Sequence, residues 1–474
     1  MSISPLDIAL TGLNAAQTGL DTVSANLANA NVSGYVAQSA ELATLAGGPG
    51  PVGSGVVVAG VDLALNPALV LLSQSTAAAA GAASSLSQTL QGAQSVFTDF
   101  PASSTSSSSS TGGLQAQLST FWSDWASVAN SPGSGAARSS LVGAAQSVVD
   151  TLRSMSSGLA TSATGAADQL SGLVGEVNGQ LGQMASLNVA ILDTRGSSGD
   201  GANALREQQL ALANTLASEI GATNQTSSVG SMTVQVNGTT LVDAGQAATL
   251  STAGTAGTEH LTASGGPLPS SPATSLSVTS GKVAGLLTAI TTDLPAWQTQ
   301  LDNVASTLAS KVNTQLEAGV YWTPNGSSTA TSSPGIAMFA ATGGGTINAS
   351  NIQISPTIAG NPGMIAAGSA TAAGPLDGSN AQAVSDLAGS TSGPDAAYQA
   401  LVGQAGSDVQ AAVAQDSVAS QAATAASSQA SAQMGVNSND QLTSMLQYQQ
   451  MYEASGKVVS TAAAMLNSLL SAVP

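Results

Sequence analysis

Apolar residues recur at helical spacing along most of this chain, and the pattern is sharpest at its two ends. Leu6, Leu10, Leu13, Leu20, Val23 and Leu27 follow a three-and-four spacing, with Leu6, Leu13, Leu20 and Leu27 seven apart. A side chain that returns every seven residues stays on one face of an α-helix, so 2–30 is predicted as one amphipathic helix with a heptad seam. Ser4 suits its N-cap, Pro5 its first position and Asp7 the reciprocal capping position, and Ile3 and Ile8 stand where a hydrophobic staple packs. Near the other end, Ser438 and Gln441 have capping-box spacing ahead of a helix of about 30 residues. There Met445, Tyr452, Val459, Leu466 and Val473 are seven apart, and Leu442, Gly456, Ala463 and Leu470 share an interleaved register with polar Gln449. Two capped heptad helices at opposite ends of one chain are predicted to pair with each other.

Between them the pattern predicts Ala-rich helices over 60–98, 112–130, 136–192, 202–221, 284–317 and 381–434. Ser103 to Gly113 is a Ser/Thr/Gly linker, and Gly196–Gly201 a turn between helices. Two segments break the helical period. In 229–283, the alternating runs Met232–Val236 and Thr239–Val242 flank Asn237-Gly238, a strong hairpin signal. The segment 319–377 carries Gly343–Gly345, several prolines and the short alternation Ile352-Gln353-Ile354, and is predicted as a small, loop-rich β element.

The fold class is therefore mainly α with small β insertions: paired N- and C-terminal coiled-coil helices, an elongated helical middle domain and β-rich outer segments. Residues 1–45 and 437–474 form the two halves of the coiled-coil core domain. The helical domain takes 46–228, the helix 284–318 and the return helix 378–436, with 229–283 the hairpin insertion and 319–377 the outer segment.

Composition narrows the chemistry. Only 7% of the 474 residues are charged, against about 25% in an ordinary soluble domain. Seven Lys and Arg face 25 Asp and Glu, for a net charge of −18, so the basic patch that nucleic-acid binding needs is missing. There is no Cys and one His, which removes disulfides, thiolate metal sites, Cys nucleophiles and His-based clusters or relays. No apolar run approaches the length of a membrane span, so no membrane insertion is expected. The first basic residue is Arg138, and Asp7, Asn14 and Gln17 interrupt the early apolar positions, so no Sec-type signal peptide is read.

The remaining candidate chemistry is thin. His260 lies in a Thr/Gly/Ser-rich stretch and reads as a surface loop residue. Asp193 and Asp200 lack the ligand spacing and final Glu of a calcium loop. Phe121, Trp122 and Trp125 have helical spacing and read as a core patch rather than a ligand platform. Gly343–Gly345 lacks the Lys of a phosphate loop. No catalytic residue, metal site or cofactor emerges, and the chain is not expected to be an enzyme. An isolated terminal helix gains too little from its seam to offset the entropy of ordering its backbone. The termini are accordingly expected to be mobile in the monomer and ordered on assembly.

Gly12-Leu13-Asn14-Ala15, Gln17, Leu20, Asn26-Leu-Ala-Asn29 and Gly34-Tyr35 resemble the N-terminal signature of the bacterial flagellar rod, hook and hook-associated proteins. Gln447-Tyr-Gln-Gln-Met-Tyr452-Glu-Ala-Ser455 and Met465–Leu470 are similar to the C-terminal helix of that family. Within it, Gly53–Gly60, Phe121–Asn130 with Arg138, and Asn203-Ala-Leu-Arg-Glu-Gln208 resemble the hook-associated junction members. Two departures stand out: Val36-Ala37-Gln38 follows Tyr35 where the family often has an Arg two residues on, and 319–377 is shorter than the usual outer domain. The resemblance implies a structural subunit that forms a ring at the distal end of the hook, joining hook to filament, with another axial role (hook or distal rod) as the alternative. A secreted enzyme with flagellar-like termini is the remote one. Implied partners are further copies of the chain in a ring or helical polymer, the hook protein, an adjacent hook-associated junction protein and an export chaperone at the C-terminal helix. Location in the extracellular flagellum by type III export is likewise implied. Leu13, Leu20, Leu27, Asn29, Gly34, Tyr35, Gln449, Tyr452, Val459, Leu466 and Leu470 are the expected assembly positions.

Overall fold

The structure is a computed structural model that describes residues 5–32, 34–45, 54–97, 113–194, 201–227, 230–323, 331–371 and 374–471. Helix α1 (Pro5–Asn29) is followed by an antiparallel pair, β1 (Gln38–Thr44) and β2 (Val56–Leu63), that lies along it. Ser4 and Ile3, the predicted cap and staple, lie outside the described residues. Helix α2 (Pro67–Gln94) starts later than the predicted 60–98. Its first predicted residues belong instead to β2, where Val56-Val-Val58 suits a pleated strand, and Asn66 with Pro67 sets the new start. The Asn66 side chain accepts hydrogen bonds from the Ala68 and Leu69 amides at 3.1 and 3.4 Å. By length and mean hydropathy α2 is apolar enough to cross a membrane, but here it packs against neighbouring helices.

Helices α3 (Leu114–Asn130), α4 (Gly135–Asp193) and α5 (Gly201–Ile220) come next. Two small antiparallel sheets follow: β3 (Thr223–Thr226), β4 (Met232–Val236), β5 (Thr239–Asp243) and β6 (Gln246–Ala247), then β7 (Thr249–Ala253), β8 (His260–Ser264) and β9 (Thr274–Leu276). Asn237-Gly238 forms the predicted turn between β4 and β5, both residues at positive φ. The predicted helix 284–317 is α6 (Gly281–Thr288) and α7 (Leu294–Glu317), joined by a π-helical turn over Ala289–Asp293.

In 319–377, β10 (Gly319–Thr323), β11 (Thr331–Pro334), β12 (Phe339–Ala341), β13 (Ile352–Ile354), the short helix α8 (Pro356–Gly360) and β14 (Gly368–Ser369) are strung between loops. The predicted helix 381–434 is divided into α9 (Ser379–Ser385) and α10 (Pro394–Met434). Gly389-Ser-Thr-Ser-Gly393-Pro394 breaks it, since Pro394 lacks the amide that would continue the helix. Helix α11 (Ser438–Ser471) closes the chain.

Helix α4 is the spine. At 59 residues it runs about 90 Å, and each half carries its own core. Leu141, Val148, Leu152 and Leu159 on its first half pack in a cluster with Phe121, Trp125, Trp297 and Tyr398. Phe339, Ile352, Ile358 and Ile365 of the 319–377 segment are buried in that same cluster, so this segment turns its apolar side chains inward. On the second half, Leu170, Val177 and Leu181 meet Val234, Leu241, Leu250 and Leu261 of the 229–283 sheets. The Arg138 guanidinium, buried at the start of α4, donates to the carbonyls of Pro132, Pro362, Gly363 and Ile365. It thereby ties the loop after α8 to the spine.

Candidate assembly surface

The terminal helices pair as predicted, α1 against α11, but not through the predicted leucines. On α1 the buried positions are Ala9, Ala16 and Val23 in one seven-residue register, Gly19 and Asn26 in a second that also holds half-buried Gly12, and Ala15 and Thr22 in a third. On α11 the half-buried face is Gln441, Tyr448, Ser455 and Ala462, again seven apart, flanked by Met445, Met451 and Val459. A methyl added to Gly19 would land on the Tyr448 ring, and one added to Gly12 would meet Ser455 Oγ. The seam is thus built from small residues on α1 that let large ones on α11 approach. Leucine–leucine packing would hold the two backbones farther apart.

The displaced leucines face outward. Leu10 is 52% exposed, and Leu6 and Leu27 are also exposed, while Leu13 and Leu20 are half-buried. On α11, Leu446 is 59% exposed, and Leu442, Val458 and Met465 are also exposed. Gln449 and Tyr452 point to solvent and Val459 is half-buried; the side chains of Leu466 and Leu470, and residue Val473, lie outside the described residues. Only Asp7 and Asp21 on α1 and Asp440, Glu453 and Lys457 on α11 carry charge, so the outer surface of the pair mixes exposed apolar side chains with uncharged polar ones.

Below the pair lies a polar junction. Asn26 is fully buried, and its carboxamide makes both backbone bonds of Gln38 as a neighbouring strand would: Oδ1 accepts from the Gln38 amide at 2.9 Å and Nδ2 donates to the Gln38 carbonyl at 2.7 Å. Nδ2 also donates to Gln441 Oε1 on α11 at 3.0 Å, and Oδ1 accepts from the Tyr35 hydroxyl at 3.0 Å. Gln38 Nε2 in turn donates to Glu207 Oε1 on α5 at 3.0 Å, and Asn203 Nδ2 reaches the Val61 carbonyl on β2. Gly34, at φ +81 with open space around it, is needed for its backbone conformation: it turns the chain so that Tyr35 points back at Asn26. Burial, and then the negative charge of Glu207, push the Tyr35 phenol up, so it keeps the proton it donates. Asn29 turns back on its own helix, donating to the Ala25 carbonyl at 3.0 Å.

Sequence reasoning missed Asn26, Gln38, Gln441 and Tyr448. The second heptad of α1, Gly12, Gly19 and Asn26, was the signal available. Gln441 has capping-box spacing from Ser438, but Asn437 accepts from the Asn439 amide and caps α11, leaving Gln441 for Asn26.

The other candidates are structural or superficial. Phe121 and Trp125 are fully buried, and Trp122 Nε1 donates to Asp395 Oδ2 at 2.8 Å. His260 is exposed, its Nδ1 3.2 Å from the Thr258 carbonyl. Among the described residues no group of three or more His, Asp or Glu side chains gathers to hold a metal ion.

Comparison with known proteins agrees with this geometry. The family model of the flagellar hook-associated protein FlgK helical domain matches residues 103–339, half of the chain. Models of the flagella basal body rod protein and of the flagellar basal body rod FlgEFG protein C-terminal region match 6–35 and 427–472, the two terminal segments. Flagellar hook-associated protein 1 of Escherichia coli (strain K12) is 25% identical over 324 residues, 67% of this chain and 57% of that protein, so the match spans little more than half of the relative's length. The structure of the flagellar hook junction protein FlgK from Burkholderia pseudomallei superposes with a TM-score of 0.62 at 14% identity, covering 77% of this chain and all of that one, which establishes a shared fold. With its helical domain and both terminal segments matched, the chain belongs to the flagellar hook-associated protein FlgK family.

Proposed function

We propose that this protein is a structural subunit of the bacterial flagellum that assembles as a ring at the distal end of the hook and joins hook to filament. The observation that carries this reading is the unpartnered outer surface of the terminal helix pair. Leu6, Leu10 and Leu27 on one helix and Leu442, Leu446 and Val458 on the other face solvent on a surface with few charges. Large apolar side chains exposed on helices with few charges fit an interaction site, and identical subunits packed head to tail would cover them around a ring. The expected assembly positions Leu13, Leu20, Leu27, Asn29, Gly34, Tyr35, Gln449, Tyr452, Val459, Leu466 and Leu470 belong to this pair and to the junction beneath it.

The partners in this reading are further copies of the chain, the hook protein and an adjacent hook-associated junction protein. An export chaperone would hold the C-terminal helix before assembly, covering exposed apolar side chains such as Leu446 and Met465. The protein acts outside the cell as part of the flagellum, reached by type III export, and has a structural rather than catalytic role. The matched helical domain favours the junction over a hook or distal-rod role.

Electron microscopy of hooks purified with and without this protein tests the reading. A distal collar that appears only with it is expected; hooks with identical ends would overturn the assignment. Deleting 438–474 should abolish incorporation while the helical domain stays folded by circular dichroism, and a truncated chain that still joins hooks would remove the role of the terminal pair.

A further inference from the structure

We infer that Asn26 is the positioning residue that fixes the angle at which the terminal helix pair leaves the helical domain, and that Gln441 makes this angle depend on the docked C-terminal helix. Its use in building a ring rests on the assembly reading above, but the device itself belongs to the single chain.

Asn26 is fully buried and every hydrogen-bonding position of its carboxamide is taken. Two bonds grip the backbone of Gln38 at the first residue of β1, and the other two go to Tyr35 and Gln441. The Gln38 side chain faces the other way, to Glu207 on α5. One row of polar contacts therefore runs from α11 through α1 and the hairpin to the helical domain. Among the described residues the buried apolar cluster at this junction is small, Val36, Leu69, Ala430 and Met434 with half-buried Leu63, Val70 and Leu210 packed against it, and the Ala37 amide adds one backbone bond to the Met434 carbonyl at 2.8 Å. Apolar packing is non-directional and tolerates rotation, whereas a carboxamide paired with both bonds of one peptide unit permits a single orientation. With so small a cluster beside it, the hydrogen-bonded row sets the direction. When α11 is undocked, Nδ2 loses the Gln441 acceptor and water enters a site sealed in the docked state. The rigid pose thus belongs to the chain whose two ends are both folded.

The absence of Cys from the chain makes the test direct. In the full-length, unassembled protein, Ala28→Cys on α1 and Ala422→Cys on α10, both exposed, take spin labels whose separation reads the angle at the base of the pair. A narrow distance distribution is expected in the otherwise wild-type chain, because α1 and α11 pair within the single chain, in place of the mobile termini expected from each helix taken alone. N26D removes both donor bonds and should broaden it. The Q441M and Q441E pair isolates the acceptor: Met keeps the bulk and loses the oxygen, while Glu keeps an oxygen in place. Q441M should raise the misoriented population about tenfold, in line with loss of one buried partner, and Q441E should leave the distribution narrow. A Q441M distribution as narrow as wild type overturns the inference, as does Q441E broadened as much as Q441M. Adding the same proteins to hooks lacking this subunit separates the two readings. If the wild-type chain gives the expected distances but never joins hooks, the assembly reading fails and the positioning role stands.

Discussion

The ring of Tyr448 on α11 fills the space that a side chain on Gly19 of α1 would need. Gly19 is buried in the middle of α1, where glycine costs about 1 kcal/mol relative to alanine, so its presence marks a close approach. Gly19→Val forces the two helices apart and should weaken their pairing by about 1–3 kcal/mol. Amide exchange along 5–29 and 441–462 should rise while α2 and α10 keep their protection. Unchanged exchange in the terminal segments would show that the ring does not depend on the gap.

The register of this seam explains what the sequence could and could not reveal. That two helices exist and pair was legible from the seven-residue spacing of apolar residues at both ends. Which face does the pairing was not, because the eye follows Leu6, Leu13, Leu20 and Leu27, whereas the buried row is Ala9, Ala16 and Val23 beside Gly12, Gly19 and Asn26. Heptad reading assumes that the larger apolar side chain is the buried one. Here the buried stripe is the one with the smaller side chains, so that assumption selects the wrong face. The β1–β2 pair was missed for a related reason: Gln38–Thr44 has little apolar content, and the end of its partner, Gly60–Leu63, falls within the helix predicted over 60–98. The hairpin at Asn237-Gly238 was legible because that dipeptide needs no tertiary context to form its turn.

Arg138 should be the costliest single charge to lose. Its guanidinium serves four carbonyls, and no other single side chain offers donors in that fork. Burial pulls its pKa below the ordinary arginine value. Arg138→Met leaves those carbonyls without the donor and should cost about 3 kcal/mol, lowering the thermal midpoint by several degrees. Arg138→Lys, with one point charge, should recover only part of the loss. A Met variant melting with wild type would mean that the loop over 362–365 is held by packing alone.

Glu219 gives the helical domain a pH dependence of a definite sign. The residue is 6% exposed, and its Oε2 has no hydrogen-bond partner among the described residues. Burial raises its pKa, with Gln180 and Lys282 opposing and Glu176 adding to the shift. A carboxyl whose folded pKa exceeds its unfolded value binds more protons when folded. Stability therefore falls as pH rises from the unfolded value through the raised folded one. Glu219→Gln keeps the shape and removes the titration, so the variant should be the more stable near neutral pH and lose that advantage at acid pH. Urea midpoints across pH measure this, and two parallel curves would contradict it.

Asp377 acts in the opposite sense. Its carboxylate accepts from the amides and hydroxyls of Ser369 and Ser379, which hold its pKa down at about 2. A depressed carboxyl contributes stability that is complete above its unfolded pKa and disappears as pH falls through the folded one. Amide exchange at Ser369 and Ser379 should therefore quicken between about pH 4 and pH 2 in the wild type. Asp377→Asn should show no such step, and a step of equal size in it would assign the change to another group.

The outer and inner stripes of α1 can be separated by two substitutions of the same kind. Ala16 is fully buried in the seam, and a carboxylate placed there must be desolvated against α11 without a partner, at a cost of several kcal/mol. Leu10 is 52% exposed, so the same carboxylate there stays in water and should change the stability of the single chain by no more than about 0.5 kcal/mol. Ala16→Asp should undo the α1–α11 pair in the monomer, seen as lost amide protection at both ends, and with it incorporation into hooks. Leu10→Asp should leave the monomer as it is and block incorporation alone, because the charge meets only the neighbouring subunit. The contrast is what matters: a stripe used only inside the subunit would make position 10 silent in both assays, and one used only between subunits would make position 16 silent in the monomer. Leu10→Asp joining hooks like wild type would show that the outward leucines of α1 are not the assembly face.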